Sequence, residues 1–115
     1  MMLTMYGIPN CDTIKKAKKW LEAEGIEYQF HDYRKDGINE ALVSTFFNKF
    51  DWEMVLNRRG TTFRQLTDEQ KLNINEKTAL ALLTEQPAMI KRPILLSDTV
   101  ALIGFKAAQY EEFLK

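Results

Sequence analysis

The chemistry open to this chain begins at Cys11, its single cysteine, in the run Gly7-Ile8-Pro9-Asn10-Cys11-Asp12. Thiolate is the reactive form of cysteine, and a helix N-terminus favours it through the partial positive charge of the helix end and its unpaired N–H groups. Gly7, Pro9 and Asn10 mark a loop, while Ile14, Ala17 and Leu21 recur at helical spacing, so the sulfur is expected at such a terminus. The lysines one turn on add to the positive field, and a pKa below the free-thiol value of about 8.5 is expected. Spacing alone leaves two readings open, a nucleophile at a strand-to-helix turn and an inert core thiol.

Other residues offer supporting chemistry. Arg92 carries a planar fork suited to a carboxylate or oxyanion, and Pro93 after it either opens a strand in trans or presents backbone groups through a cis bond. Arg58, Arg59 and Arg64 stand beside Gly60, Thr61 and Thr62, a group that reads equally as an anion receiver or as an exposed loop. The lysines at 15, 16, 18 and 19 fit either an acidic partner or a solvated helix face. His31, the one histidine, is expected to point outward from a strand, and one imidazole is weak evidence for a Cys–His pair. No phosphate loop, dinucleotide fingerprint or zinc motif occurs, and no metal site is expected.

The elements that must position these groups follow from periodicity. Leu3 to Tyr6 reads as a buried strand, the helix after Cys11 stops at Gly25, and Ile26, Tyr28 and Phe30 alternate with polar residues as a second strand, parallel to the first. After Asp36-Gly37 the residues Leu42, Val43, Phe46, Phe47 and Phe50 form one apolar helix face, continued by Trp52, Met54, Val55 and Leu56. Thr67-x-x-Gln70 has the form of a capping box, Asn75 caps a helix through Leu83, and Pro87 ends it. Asn57 to Gln65 is expected to be the longest loop. Ile94 to Leu96, the turn Ser97-Asp98-Thr99 and Val100 to Ile103 make a hairpin, followed by a helix from Ala107 to Leu114.

The 115 residues, 45% of them hydrophobic, suit one domain spanning 1–115. Sixteen basic and sixteen acidic residues leave no net charge, so binding to nucleic acid through bulk charge is not expected. No stretch approaches the roughly 20 apolar residues of a membrane span, and Met1 to Tyr6 lacks a basic leader, so no membrane association and a reducing, cytoplasmic location are expected. One cysteine excludes an intramolecular dithiol.

The segment Tyr6 to Ala17, with Arg59-Gly60-Thr61-Thr62, Arg92-Pro93-Ile94 and Gly104-Phe105, resembles the ArsC/Spx/YffB family nearly end to end, and the wording around Cys11 is most similar to the YffB branch. The resemblance implies an α/β, thioredoxin-like fold with a mixed four-stranded sheet and a helical insertion, about residues 37–88, between its βαβ and ββα halves. It implies that Cys11 is the redox-active cysteine, that Pro93 is cis, and that the chain is a glutathione-dependent monothiol oxidoreductase. In that case Arg92, Pro93, Arg59, Asn10 and Thr13 contact a glutathione cosubstrate or a glutathionylated or disulfide substrate, with no cofactor bound.

Two alternatives come with the family. Arsenate reductases of this kind follow the cysteine with Gly-Thr-Ser and use three arginines, whereas here Asp12-Thr13-Ile14 follows; Arg92 matches one arginine, Arg59 or Arg58 stands for the second, and Lys106 lies near the third. Asp12 beside the thiol repels a divalent oxyanion. Spx regulators bind a protein partner, RNA polymerase, and usually carry a second cysteine where this chain has Ile14. A non-catalytic adaptor is therefore the other reading, with arsenate reduction third.

Overall fold

The computed structural model describes residues 2–115, so that Met1, the first residue of the stretch read for a leader, lies outside them. Two compact units are present: residues 2–37 together with Arg92–Lys115, and Ile38–Lys91.

The first unit holds β1 (Thr4–Gly7), α1 (Asp12–Ala23), β2 (Gln29–Asp32), β3 (Ile94–Leu96), β4 (Ala101–Ile103) and α7 (Ala107–Leu114). Its sheet runs in the order β2-β1-β3-β4, with β1 and β2 parallel and the other neighbours antiparallel. Register aligns Phe30, Met5, Leu95 and Leu102 in one row across all four strands. Because side chains alternate along a strand, the row shares one face, and there it meets Ile14, Ala17 and Leu21 of α1 and Tyr110 of α7. This core holds the start of α1 against the end of β1.

β2 is shorter than the alternation from Ile26 implies. Helix α1 ends in a Schellman motif: Gly25 takes φ 69°, its N–H donates to the Glu22 carbonyl, and the Ile26 N–H donates to the Leu21 carbonyl. Ile26 is thereby committed to the helix end, and pairing with β1 begins only at Thr4 opposite Gln29. The hairpin is as read, closed by Ser97, whose Oγ accepts from the N–H groups of Thr99 and Val100.

Tyr110 is fully buried, edge-on to Phe105 and Trp20, with ring centroids 4.8 and 5.5 Å away. Its hydroxyl has no hydrogen-bond partner among the described residues, and burial raises the phenol's pKa far above its ordinary value. Phenylalanine at this position is expected to stabilise the protein by about 1 kcal/mol, measured by urea unfolding near neutral pH. A folded-state pKa above the unfolded one means stability is complete below pH ~10 and falls as pH rises beyond it. The Tyr110→Phe variant is expected to lose less stability above that pH than the parent.

The second unit is helical, with α2 (Glu40–Lys49), α3 (Trp52–Val55), α4 (Thr61–Arg64), α5 (Asp68–Leu72), α6 (Glu76–Glu85) and a 3-10 turn at Pro87–Met89. Val43 and Phe46 of α2, Val55, Leu56, Ala79, Leu83, Met89 and Ile90 are its buried residues. Asn39 caps α2 through the Leu42 N–H, and the capping boxes of Thr67 with Gln70 and of Asn75 with Thr78 are both formed. The expected loop from Asn57 to Gln65 is instead a turn followed by a helical turn. Asn57 Oδ1 accepts from the Arg59 N–H at 3.1 Å and Gly60 occupies the N-cap of α4, so local hydrogen bonding organises a stretch with no apolar period.

No helix among the described residues is long and apolar enough to cross a membrane.

Candidate functional site

The site is built where β1 hands over to α1. Ile8-Pro9-Asn10 turns the chain, and Cys11 takes extended backbone angles (φ −114°, ψ 129°) at the N-cap of α1, while its carbonyl accepts the first helical hydrogen bond from the Lys15 N–H at 3.0 Å. The side chain makes no capping hydrogen bond, and the residue is part-exposed. Asn10 is exposed and Thr13 part-buried on either side of it.

Gly7 explains how close the surrounding groups come. A Cβ built there would lie 2.5 Å from Ile14 Cδ1 and 3.7 Å from Arg92 Cβ, so the last residue of β1, the first turn of α1 and Arg92 meet around a position with room only for hydrogen. The Arg92–Pro93 peptide bond is cis, and the Pro93 carbonyl accepts from the N–H of Gly104, which takes φ 75°, at 2.8 Å. Pro93 is buried just before β3, and Arg92 is part-exposed.

Cys11 answers to all of these groups. Its partial burial acts to raise the thiol pKa. Against that, the Ile14 N–H, the Arg92 guanidinium and the Thr13 N–H favour the thiolate, and the charge of Arg92 adds attraction; together these outweigh burial and hold the thiol below its ordinary value. A thiolate beside a guanidinium, with backbone amides aimed at the sulfur, is equipped for nucleophilic attack and for holding a carboxylate of the attacked molecule.

The structure thus brings Cys11, Thr13, Arg92 and Pro93 into one unit, with Asn10 at the turn. Arg59 stands in the other unit, exposed in the turn before α4, as does Arg58, and Lys106 is exposed at the N-cap of α7. His31 is part-buried in β2, its Nε2 at 2.8 Å from the Gly37 carbonyl and its ring 5.1 Å from that of Tyr6.

Sequence reasoning passed over Tyr33. It is 3% exposed just past β2, its N–H donates to the Gly7 carbonyl at 3.1 Å, and its phenol is pushed well up by burial and by Tyr6, with Arg92 pulling down. The run Asp32-Tyr33-Arg34 looks like a polar strand end, and its one available signal was an aromatic ring between two charges.

A model of the ArsC family matches residues 6–113. An uncharacterised protein of Haemophilus influenzae is 46% identical over 110 residues, 96% of each chain. The global transcriptional regulator Spx of Lactiplantibacillus plantarum is 26% identical over 116 residues, covering 98% of this chain and 86% of that one. Among solved structures, a YFFB protein superposes with a TM-score of 0.93 at 42% identity, over 98% of this chain and 99% of the other. The fold is thus thioredoxin-like, with a mixed four-stranded sheet, and the match extends through both units rather than resting on the cysteine turn. With a family match over nearly all its length and relatives alike across the whole chain, this protein belongs to the ArsC family.

Proposed function

We propose that the protein is a glutathione-dependent monothiol oxidoreductase with Cys11 as nucleophile. The observation that carries this reading is the placement of Cys11, part-exposed at the N-cap of α1 with Arg92 beside it, surroundings that lower its thiol pKa against the effect of burial. In the first step the Cys11 thiolate attacks the glutathionyl sulfur of a mixed disulfide; a bond forms between the two sulfurs, the old S–S bond breaks, and the substrate leaves as a thiolate. The chain has no second cysteine, so a second glutathione thiolate attacks the glutathionyl sulfur on Cys11, releasing glutathione disulfide and restoring the enzyme thiolate. Arg92 binds a glutathione carboxylate, and the backbone around Pro93 pairs with its peptide groups. Asn10 and Thr13 line the sulfur's approach. A reducing cytoplasm, rich in glutathione, is the compartment that suits this cycle.

A glutathionylated model peptide tests it. Release of the peptide is expected to be catalytic, to saturate in glutathione and to yield one glutathione disulfide per turnover; stoichiometric release that stops after one equivalent would remove glutathione as the resolving thiol.

The similarity to Spx along 98% of the chain supports a second reading, a non-catalytic adaptor for a protein partner. The two part at Cys11→Ser: an adaptor still captures a candidate partner, such as the RNA polymerase α subunit, in pull-down assays, whereas an oxidoreductase loses its activity. Arsenate reduction ranks behind both, because the exposed Asp12 carboxylate adjoins the thiol.

A further inference from the structure

The charge on α1 runs against the preference of its own helix. Cations stabilise a helix at its C-terminus and anions at its N-terminus. Here Lys15 and Lys16 lie in the N-terminal half and Lys18 and Lys19 just past the middle, Glu22 falls in the last turn and Glu24 at the C-cap, and no basic residue lies in the last turn. Lys15 and Lys19, four residues apart, are like charges on one stripe, a spacing that disfavours the helix. The single opposing carboxylate in this half is Asp12, which stands four residues before Lys16 without an ion pair between them. Lys18 is accounted for by packing, with its Nζ 3.7 Å from the centre of the Phe30 ring. Lys15, Lys16 and Lys19 are exposed and form no ion pair among the described residues, so helix stability does not explain them.

Their geometry relative to the sulfur suggests what does. At ~100° per residue, Lys15 and Lys19 continue the i, i+4, i+8 row from Cys11, Lys16 flanks that row beside Lys19, and Ile14, Ala17 and Leu21 turn into the core. Cys11 to Lys19 spans eight residues, about 12 Å along the axis. An extended peptide advances ~3.3 Å per residue, so a chain whose cysteine lies at Cys11 carries the next three or four residues along this face.

We infer that Lys15, Lys16 and Lys19 form a docking surface for acidic residues flanking the reactive disulfide of a peptide or protein substrate. The inference rests on the proposed function and adds the substrate's charge class to it. The three ammonium groups, with Arg92 at the sulfur, concentrate an acidic segment beside the nucleophile and repel a basic one.

Three peptides test this, each with one central glutathionylated cysteine flanked by glutamates, glutamines or lysines. Release of each peptide thiol by excess protein is followed in a single turnover. The glutathione moiety is common to all three, so the rates differ only through the flanks. At low ionic strength the acidic peptide is expected to react about tenfold faster than the basic one, and the ratio to approach one at high salt. In a Lys15→Gln/Lys16→Gln/Lys19→Gln variant, verified as folded by circular dichroism, the low-salt ratio is expected to fall toward one. The rate ratio in that variant also controls for flank effects on the leaving thiol. Equal rates in the parent protein, or a preference that survives in the variant, would overturn the docking surface while leaving the thiol chemistry intact. No release from any peptide would overturn both.

Discussion

Serine at position 11 is expected to abolish glutathione-dependent turnover while leaving the fold as stable as before or slightly more so. Cys11 is an N-cap that makes no side-chain capping bond, whereas serine is among the preferred N-cap residues and its oxygen accepts readily from the N–H groups of the first turn. The gain is expected to be about 0.5–1 kcal/mol at a pH where the thiol is protonated, measured by urea unfolding. Activity moves the other way, because a hydroxyl is not ionised near neutral pH and cannot form a disulfide. Opposite signs for stability and turnover would tie the loss to chemistry rather than to unfolding. Turnover retained in Cys11→Ser would end the proposed mechanism.

Substitution of Arg92 is expected to raise the pKa of Cys11 and the glutathione requirement together. In the parent protein the rate of iodoacetamide alkylation should rise with pH to half its plateau below the ordinary thiol value of about 8.5, since the Ile14 and Thr13 amides and Arg92 outweigh burial. Arg92→Gln removes both the charge and the guanidinium donors; the midpoint is expected to move up, with the amide contribution remaining. Arg92→Lys keeps the charge without the planar fork and should fall between, with the glutathione requirement still raised because bidentate carboxylate binding is lost. An unchanged midpoint in Arg92→Gln would take Arg92 out of the site. Stability follows from the same linkage. A folded-state pKa below the unfolded one makes the Cys11 contribution complete above the unfolded value and lost as pH falls through the folded one. The window therefore lies below the ordinary thiol value of about 8.5, and below the range in which burial of Tyr33 and Tyr110 governs.

The two expectations probe different links of one chain of cause. Cys11→Ser addresses the sulfur itself, and Arg92→Gln addresses a group far away in sequence that the sheet returns to it. That return depends on β3 pairing with β1, Ile94 opposite Tyr6, which brings Arg92 to the C-terminal end of β1 beside Gly7.

What the sequence determined by itself was everything decided by neighbours along the chain. Cys11 as the start of a helix followed from Pro9-Asn10 and the spacing of Ile14, Ala17 and Leu21; the end of that helix was legible in Gly25; the capping box of Thr67 with Gln70, the cap at Asn75 and the terminal helix from Ala107 to Leu114 were legible for the same reason. Tertiary structure decided the rest. Ile26 looks like strand by its alternation, yet its N–H closes the Schellman motif, and strand length was settled by how many residues β1 offers. Asn57 to Gln65 has no apolar period, and its helical turn comes from an Asn side chain and a glycine cap rather than from patterning. The identity of the groups around the thiol was hidden most deeply. The amides of Thr13 and Ile14 have no sequence signature because every residue carries one, and Arg92 lies 81 residues beyond Cys11 until antiparallel pairing closes the distance. A local pattern can announce a nucleophile, but the field that activates it is a sum over space, and only the folded chain determines which charges and dipoles enter that sum.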